Sequence, residues 1–200
     1  MSHTEDGVLV LADISGFTAF VTTTELEHGP PIIAALLEQV IERLAPLLEI
    51  QEVEGDAVFA LASDQAVVPP ARLLDVLDDA FAAFCARRRE IEANQRCGCV
   101  ACRNVGMLDL KIVAHHGRFL RQSVGGRGQV AGADVILAHQ LLKNRVAKRA
   151  YVLLTEAAVR WMGLDTAQSD LAEHVERYEH LGDVRCFVRD EAPLTSLAAA

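Results

Sequence analysis

Val8-Leu9-Val10-Leu11-Ala12-Asp13 runs on into Ile14-Ser15-Gly16-Phe17-Thr18, and a second acidic fragment, Val53-Glu54-Gly55-Asp56-Ala57-Val58-Phe59-Ala60, follows it along the chain. In each fragment one carboxylate stands where an apolar strand meets a glycine. Two such strands laid side by side bring Asp13 and Asp56 to one rim of a sheet. A hard divalent cation, Mg²⁺ or Mn²⁺, takes a few oxygen ligands at such a place and completes its shell with waters or phosphates. Plainer readings stand beside this one. Gly-Asp is common turn chemistry, and Asp13 is a favoured residue for capping the helix that follows.

Working outward, the first strand is expected over Gly7 to Asp13. A helical stretch from Phe17 breaks at Gly29-Pro30-Pro31 and resumes to about Glu49. Ile33, Leu36, Leu37, Val40, Ile41, Leu44 and Leu48 keep a one-face helical period there, and the prolines suit its first turn. Ile50–Val53 and Ala57–Leu61 form a hairpin around Glu54-Gly55-Asp56. Pro69-Pro70 opens a long helix to about Asn94, whose apolar face includes Cys85 as a packed residue. Leu108 to His115 reads as a strand, Arg118 to Val124 as its hairpin partner, and Gly125-Gly126-Arg127-Gly128 as a flexible loop. A helix over Asp134 to Val146 follows, with Lys143, Arg145, Lys148 and Arg149 as a solvated basic helix end. Tyr151–Leu154 is a strand, Thr155 caps a short helix through Trp161, and Val175–His180 pairs with Val184–Val188, where Cys186 packs. Strands and helices in this order predict an α/β (α+β) fold: one mixed sheet with a ferredoxin-like βαββαβ core and added hairpins. Residues 7–190 form the single domain, with 1–6 disordered, a Cys-rich insert at 95–106 and a flexible tail at 191–200.

The 200 residues carry 51% hydrophobic side chains, enough for one core, and a net charge of −9 from 28 acidic and 19 basic residues. That balance argues against a nucleic-acid partner, which calls for a basic face. No apolar run reaches the length of a membrane span, and the polar, acidic start lacks the features of a secretory signal. A cytoplasmic protein is expected. Three of the five cysteines crowd into Cys97-Gly98-Cys99-Val100-Ala101-Cys102. Thiolates this close can share one zinc ion, which prefers four S/N ligands. The fourth ligand is open among His115, His116, Cys186 and a residue of a partner subunit. Redox-active or disulfide thiols, an iron–sulfur cluster and inert loop cysteines are the alternatives.

Several motifs together resemble the class III nucleotidyl cyclases, the catalytic domains of adenylate and guanylate cyclases. Asp13-Ile14-Ser15-Gly16-Phe17-Thr18 resembles that family's first metal motif. Gly55-Asp56-Ala57-Val58-Phe59 resembles its Gly-Asp hairpin. Ile112 to Gly117 resembles the strand ending in His-x-Gly. Val130-Ala131-Gly132-Ala133-Asp134-Val135 through Leu141 resembles its Gly-x-x-Val-Asn-x-Ala-x-Arg-Leu helix, and Leu153-Leu154-Thr155-Glu156-Ala157 resembles the segment after it. The resemblance implies that Asp13 and Asp56 hold Mg²⁺ or Mn²⁺. It implies that Ile14, Gly16, Phe17 and His116 border a nucleotide or another phosphorylated small molecule, and that the chain forms a head-to-tail homodimer with sites at the interface.

The resemblance also has gaps. The family's purine-reading Lys falls on Glu52 and its second purine-reading residue on Gln129. The ribose-holding Asn falls on Ile136 and the transition-state Arg on Gln140. Removing such a charge-stabilising group costs several kcal/mol of barrier, on the order of 10²–10³ in rate. The expected function is therefore a divergent cyclase-like domain, a pseudoenzyme with weak or no cyclase activity. Two alternatives remain: an active phosphorus–oxygen lyase with a rearranged site, and a zinc-stapled homodimeric interaction module in signalling.

Overall fold

The structure, a computed structural model, describes residues 3–66, 69–94, 97–167 and 169–191. Strand β1 (His3–Ser15) lies in the middle of the sheet, whose order is β2 (Glu49–Glu54), β3 (Ala57–Ser63), β1, β4 (Asp109–Val124), β6 (Tyr151–Thr155), β8 (Gly182–Asp190), β7 (Ala172–Tyr178). A further strand, β5 (Arg127–Ala131), pairs with β4 off this path. β4 and β6 run parallel and the other pairs antiparallel, so the sheet is mixed as expected. The first four strands in the order β2-β3-β1-β4 are the expected βαββαβ core.

Strand periodicity assigns the two faces of β1. Val8, Val10, Ala12 and Ile14 face α2 (Gly29–Leu44), α3 (Pro70–Ala93) and α6 (Glu156–Met162) in the larger core. Leu9 and Leu11 face α5 (Ala133–Leu141) together with Phe59, Leu61, Val135 and Ala138. A strand buried on both faces reads as a continuous apolar run rather than an alternating one, which is the pattern of residues 8–12. Helix α2 buries Ile33, Leu36, Leu37, Val40 and Leu44, and both it and α3 carry proline at the first or second position.

Four expectations are corrected. His3 to Asp6 belong to β1, paired with β4 from His3 opposite Arg121 onward; they are not disordered. Arg118–Val124 is the second half of one long β4, because Gly117 lies opposite Gly7 in the sheet and the strand runs straight through it. The hairpin partner is β5, and Gly125-Gly126 forms a tight turn with φ 59° and 80°, conformations that glycine adopts without strain. Helix α5 ends at Leu141, so the basic residues after it do not form a solvated helix end. Arg145 binds Glu176 through both its backbone N–H (2.6 Å) and its guanidinium (3.3 Å), and Lys148 binds Asp190 at 2.8 Å. Residues 1–2, 95–96 and 192–200, which hold parts of the expected N-terminus, insert and tail, lie outside the described residues. Cys85 and Cys186 are buried, as read from the sequence.

Backbone approach at the sheet centre makes one position testable. A Cβ on Gly7 would stand 2.2 Å from the Ala62 carbonyl oxygen on β3, a backbone atom that cannot turn aside. Gly7→Ala is expected to cost about 1–3 kcal/mol, read as a lower urea midpoint. Gly128→Ala, where nothing lies within 4 Å, is the control and should leave the midpoint nearly unchanged.

Candidate functional site

β1 pairs with β3 so that Asp13 lies opposite Ala57, and the Ile14 N–H donates to the Asp56 carbonyl at 3.1 Å. The hairpin turn therefore hangs beside the end of β1, and the two carboxyl groups come within hydrogen-bonding reach of each other. The capping reading of Asp13 fails: the residue preceding α1 (Phe17–Thr23) is Gly16, at φ 91°, and no side chain caps the helix. Asp13 instead makes an ion pair with Lys111 at 2.8 Å, its opposite number on β4. Lys111 Nζ also donates to the Leu142 carbonyl at 3.0 Å.

The Gly16 loop is locked from the other side. The Arg149 guanidinium donates to the carbonyls of Ser15 and Met107, and Ser15 Oγ donates to the Arg149 carbonyl at 2.8 Å. The positive φ at Gly16 calls for glycine, and a Cβ there would also stand 3.0 Å from the Met107 carbonyl oxygen. Asp109 at the start of β4 ties the neighbouring elements together, accepting from the buried Arg88 of α3 at 2.6 Å and lying 3.6 Å from Arg149. Phe17 and Gly55 border an apolar groove of about 440 Å³ between α1, α2 and the β2–β3 hairpin.

Burial and the neighbouring Asp13 carboxylate push the Asp56 carboxyl from its ordinary 3.8 up to about 6. With Lys111 present, the Asp13–Asp56 pair holds at most one uncompensated negative charge. That is little for capturing a bare divalent cation. It suits a cation that arrives with phosphate oxygens of its own, the usual manner of Mg²⁺.

The four positions implied to be replaced separate into two pairs. Glu52 and Gln129 border one polar groove of about 500 Å³ with Arg127 and His139. Ile136 and Gln140, one turn apart on α5, border a second, mainly apolar groove with Tyr178. Ile136 is 56% exposed. A bulge between Ile50 and Glu52 sets Glu52 opposite Phe59 on the edge strand β2, where a charge also protects the edge from pairing with other chains.

His116 is not at the carboxylates. It lies opposite Val8, five positions up β1 from Asp13 and so about 17 Å away at strand rise. There it stacks on Trp161 at 5.3 Å and meets Asp64 at 3.0 Å. His115 is buried between Thr155 Oγ1 (2.9 Å) and Asp134 (3.2 Å), and burial lowers its pKa. Thr155 does cap α6, accepting from the Ala158 N–H.

The cysteine cluster has a fourth member that the sequence reading missed. Cys99 begins the short helix α4 (Val100–Asn104). Cys97 Sγ lies 3.0 Å from Cys99 Sγ and 3.3 Å from Cys102 Sγ, and His28 Nδ1 lies 3.0 Å from Cys99 Sγ and 3.5 Å from Cys97 Sγ. The expected fourth ligands His115, His116 and Cys186 sit elsewhere in the sheet. Nothing local in the sequence marks His28 beyond its place at the Gly29-Pro30-Pro31 break. Hydrogen bonds with Cys99 lower the pKa of Cys97, those with Cys97 and Cys99 push Cys102 up to about 12, and that with Cys99 raises His28.

Residues 33–151 match the model of a family described as "Protein of unknown function (DUF2652)". The chain belongs to this family. It is 33% identical over 130 residues to the uncharacterized protein Rv2561/Rv2562 of Mycobacterium tuberculosis, a match covering 64% of this chain and 59% of that protein. Among solved structures, this DUF2652 member superposes on the adenylyl cyclase CyaB from P. aeruginosa with a TM-score of 0.73 at 14% identity, covering 96% of this chain and 97% of that one. The guanylyl cyclase Cya2 gives 0.72 at 13%, covering 97% of both chains. The guanylate cyclase domain of RhGC from Catenaria anguillulae, solved in complex with GTP, gives 0.67 at 13%, covering 96% and 100%. These likenesses show a cyclase-domain fold. No helix among the described residues is long and apolar enough to cross a membrane.

The raised Asp56 pKa predicts a pH signature. The folded chain holds this proton more tightly than the unfolded chain, so the linked stability is fully present below about pH 4 and is lost as pH rises through about 6. Asp56→Asn removes that loss. Without added divalent cations, its Tm relative to the wild type should rise by a few degrees between pH 4.5 and 7.5, followed by circular dichroism. A Tm difference independent of pH would contradict the assignment.

Proposed function

We propose that this chain is a divergent nucleotidyl cyclase-like domain that binds a divalent metal together with a nucleotide or another phosphorylated ligand, with weak or no cyclase activity. The observation that carries this reading is the juxtaposition of Asp13 and Asp56 at the sheet rim, with Lys111 bound to one of them. Two carboxylates and an ammonium match a metal–phosphate group: the carboxylates take the metal and the ammonium takes a phosphate oxygen. The fold likeness to a guanylate cyclase domain in complex with GTP supports a nucleoside triphosphate as the first ligand to try.

Chemistry at the far side of the ligand is what this reading removes. Cyclisation requires charge stabilisation on the transferring phosphoryl group. Ile136 offers no hydrogen bond and Gln140 no charge, so the barrier stays high even with a metal in place. The exposed Ile136 also suits burial against a second copy, consistent with the head-to-tail homodimer that the cyclase resemblance implies. A closed pair of this kind carries two equivalent sites.

Mn²⁺ with ATP or GTP is expected to raise the Tm by on the order of 5 °C at ligand concentrations about 100-fold above Kd. Asp13→Asn/Asp56→Asn should abolish the shift. Equal shifts in wild type and double variant would sink the site assignment. Light scattering at micromolar concentration should give twice the chain mass, and a monomeric mass would remove the dimer from the proposal.

A further inference from the structure

We propose that His28, Cys97, Cys99 and Cys102 form a structural zinc site closed within one chain, which fastens the α1–α2 corner to the connection between α3 and β4. This inference does not rest on the Asp13–Asp56 reading.

The four ligand atoms lie within 4.8 Å of one another. Ligands on a tetrahedral zinc at Zn–S of about 2.3 Å stand roughly 3.8 Å apart, so sulfurs at 3.0 and 3.3 Å reach that geometry by moving outward less than an ångström. The same separations are far beyond the roughly 2.05 Å of a disulfide. Three sulfurs and one imidazole nitrogen select a borderline-soft ion over Mg²⁺ or Ca²⁺. Four protein ligands leave no position open for water or substrate, the mark of a structural rather than a catalytic zinc.

The surroundings are built for such a centre. The Cys102 N–H points at Cys99 Sγ (3.4 Å), the kind of outer contact that orients a thiolate ligand. Glu25 accepts from the N–H groups of Val100 (3.0 Å) and Ala101 (3.1 Å), and Arg103 donates to the Gly98 carbonyl at 2.7 Å, so the knuckle's backbone is held from both sides. Glu25 and His28 both come from the α1–α2 corner, the far end of the segment that leaves the Gly16 loop. A metal here holds that segment against the long connection, alongside the Glu25 carboxylate. Because all four ligands belong to one chain, the zinc proposed here does not join two subunits.

Elemental analysis of untagged protein should find about one zinc per chain. Co²⁺ substitution should give the intense visible bands of a tetrahedral thiolate site. His28→Ala should weaken zinc binding by more than about tenfold. It costs no helix cap, since His28 makes no side-chain cap bond. His28→Cys should retain zinc, and Cys97→Ser should lose it, with Tm falling by several degrees. If Cys97→Ser fails to fold, the Co²⁺ spectrum of the wild type and the two His28 variants decide alone. Overturning results are no zinc after reconstitution, iron in its place, one zinc shared between two chains, or unchanged affinity in His28→Ala.

Discussion

Pairing of β1 along both edges is the constraint on which the rest depends. Every residue from Gly7 to Asp13 has a partner on β3 and another on β4, and Val8 to Ala12 are at most 1% exposed. A strand held this way cannot slip by one residue without turning Val8 and Val10 from the α2–α3 core toward α5, and Leu9 and Leu11 the reverse. The register that buries these side chains also fixes where the strand ends. Asp13 thus falls beside Lys111 on one side and the Asp56 turn on the other. The acidic rim is a consequence of core packing, and moving it would mean rebuilding the sheet.

The rim accordingly carries its chemistry in a half-neutralised form. Lys111 balances one carboxylate, while the second shares the space at the cost of a raised pKa. Arg149, itself 3.6 Å from Asp109, holds the adjoining loop through the loop's backbone carbonyls rather than through Asp13 or Asp56. The loop is therefore set in place independently of any ligand, which favours a preformed site. On α5, by contrast, Ile136 and Gln140 present a surface with little capacity to stabilise charge.

Much of this was legible in the sequence because it is periodic or punctuated. The apolar run at 8–12, the proline-led helices and the Gly55-Asp56 turn each carry a local signal, and together they gave the strand order of the core. The length of β4 was not legible. His115-His116-Gly117 looks like a turn, and only the pairing of Gly117 with Gly7 shows why the strand continues. The distance of His116 from the carboxylates depends on that same register. His28 was missed because its partners lie 69 or more positions away, a contact made by tertiary packing that no local pattern encodes. The partners of Arg145, Lys148 and Arg149 are likewise distant in the chain, so those residues read as solvated surface.

We propose that the metal-holding half of the site is kept while the transition-state half is lost. Calorimetric titration of Mn²⁺–ATP and Mn²⁺–GTP into the protein, with cyclic product measured in the same samples, tests it most directly. Saturable binding is expected, with turnover at or below about 0.1 s⁻¹, given an ordinary enzyme near 10 s⁻¹ reduced by the loss of a stabilising group. Turnover at an ordinary enzyme's rate, or no heat of binding for either nucleotide, would contradict it.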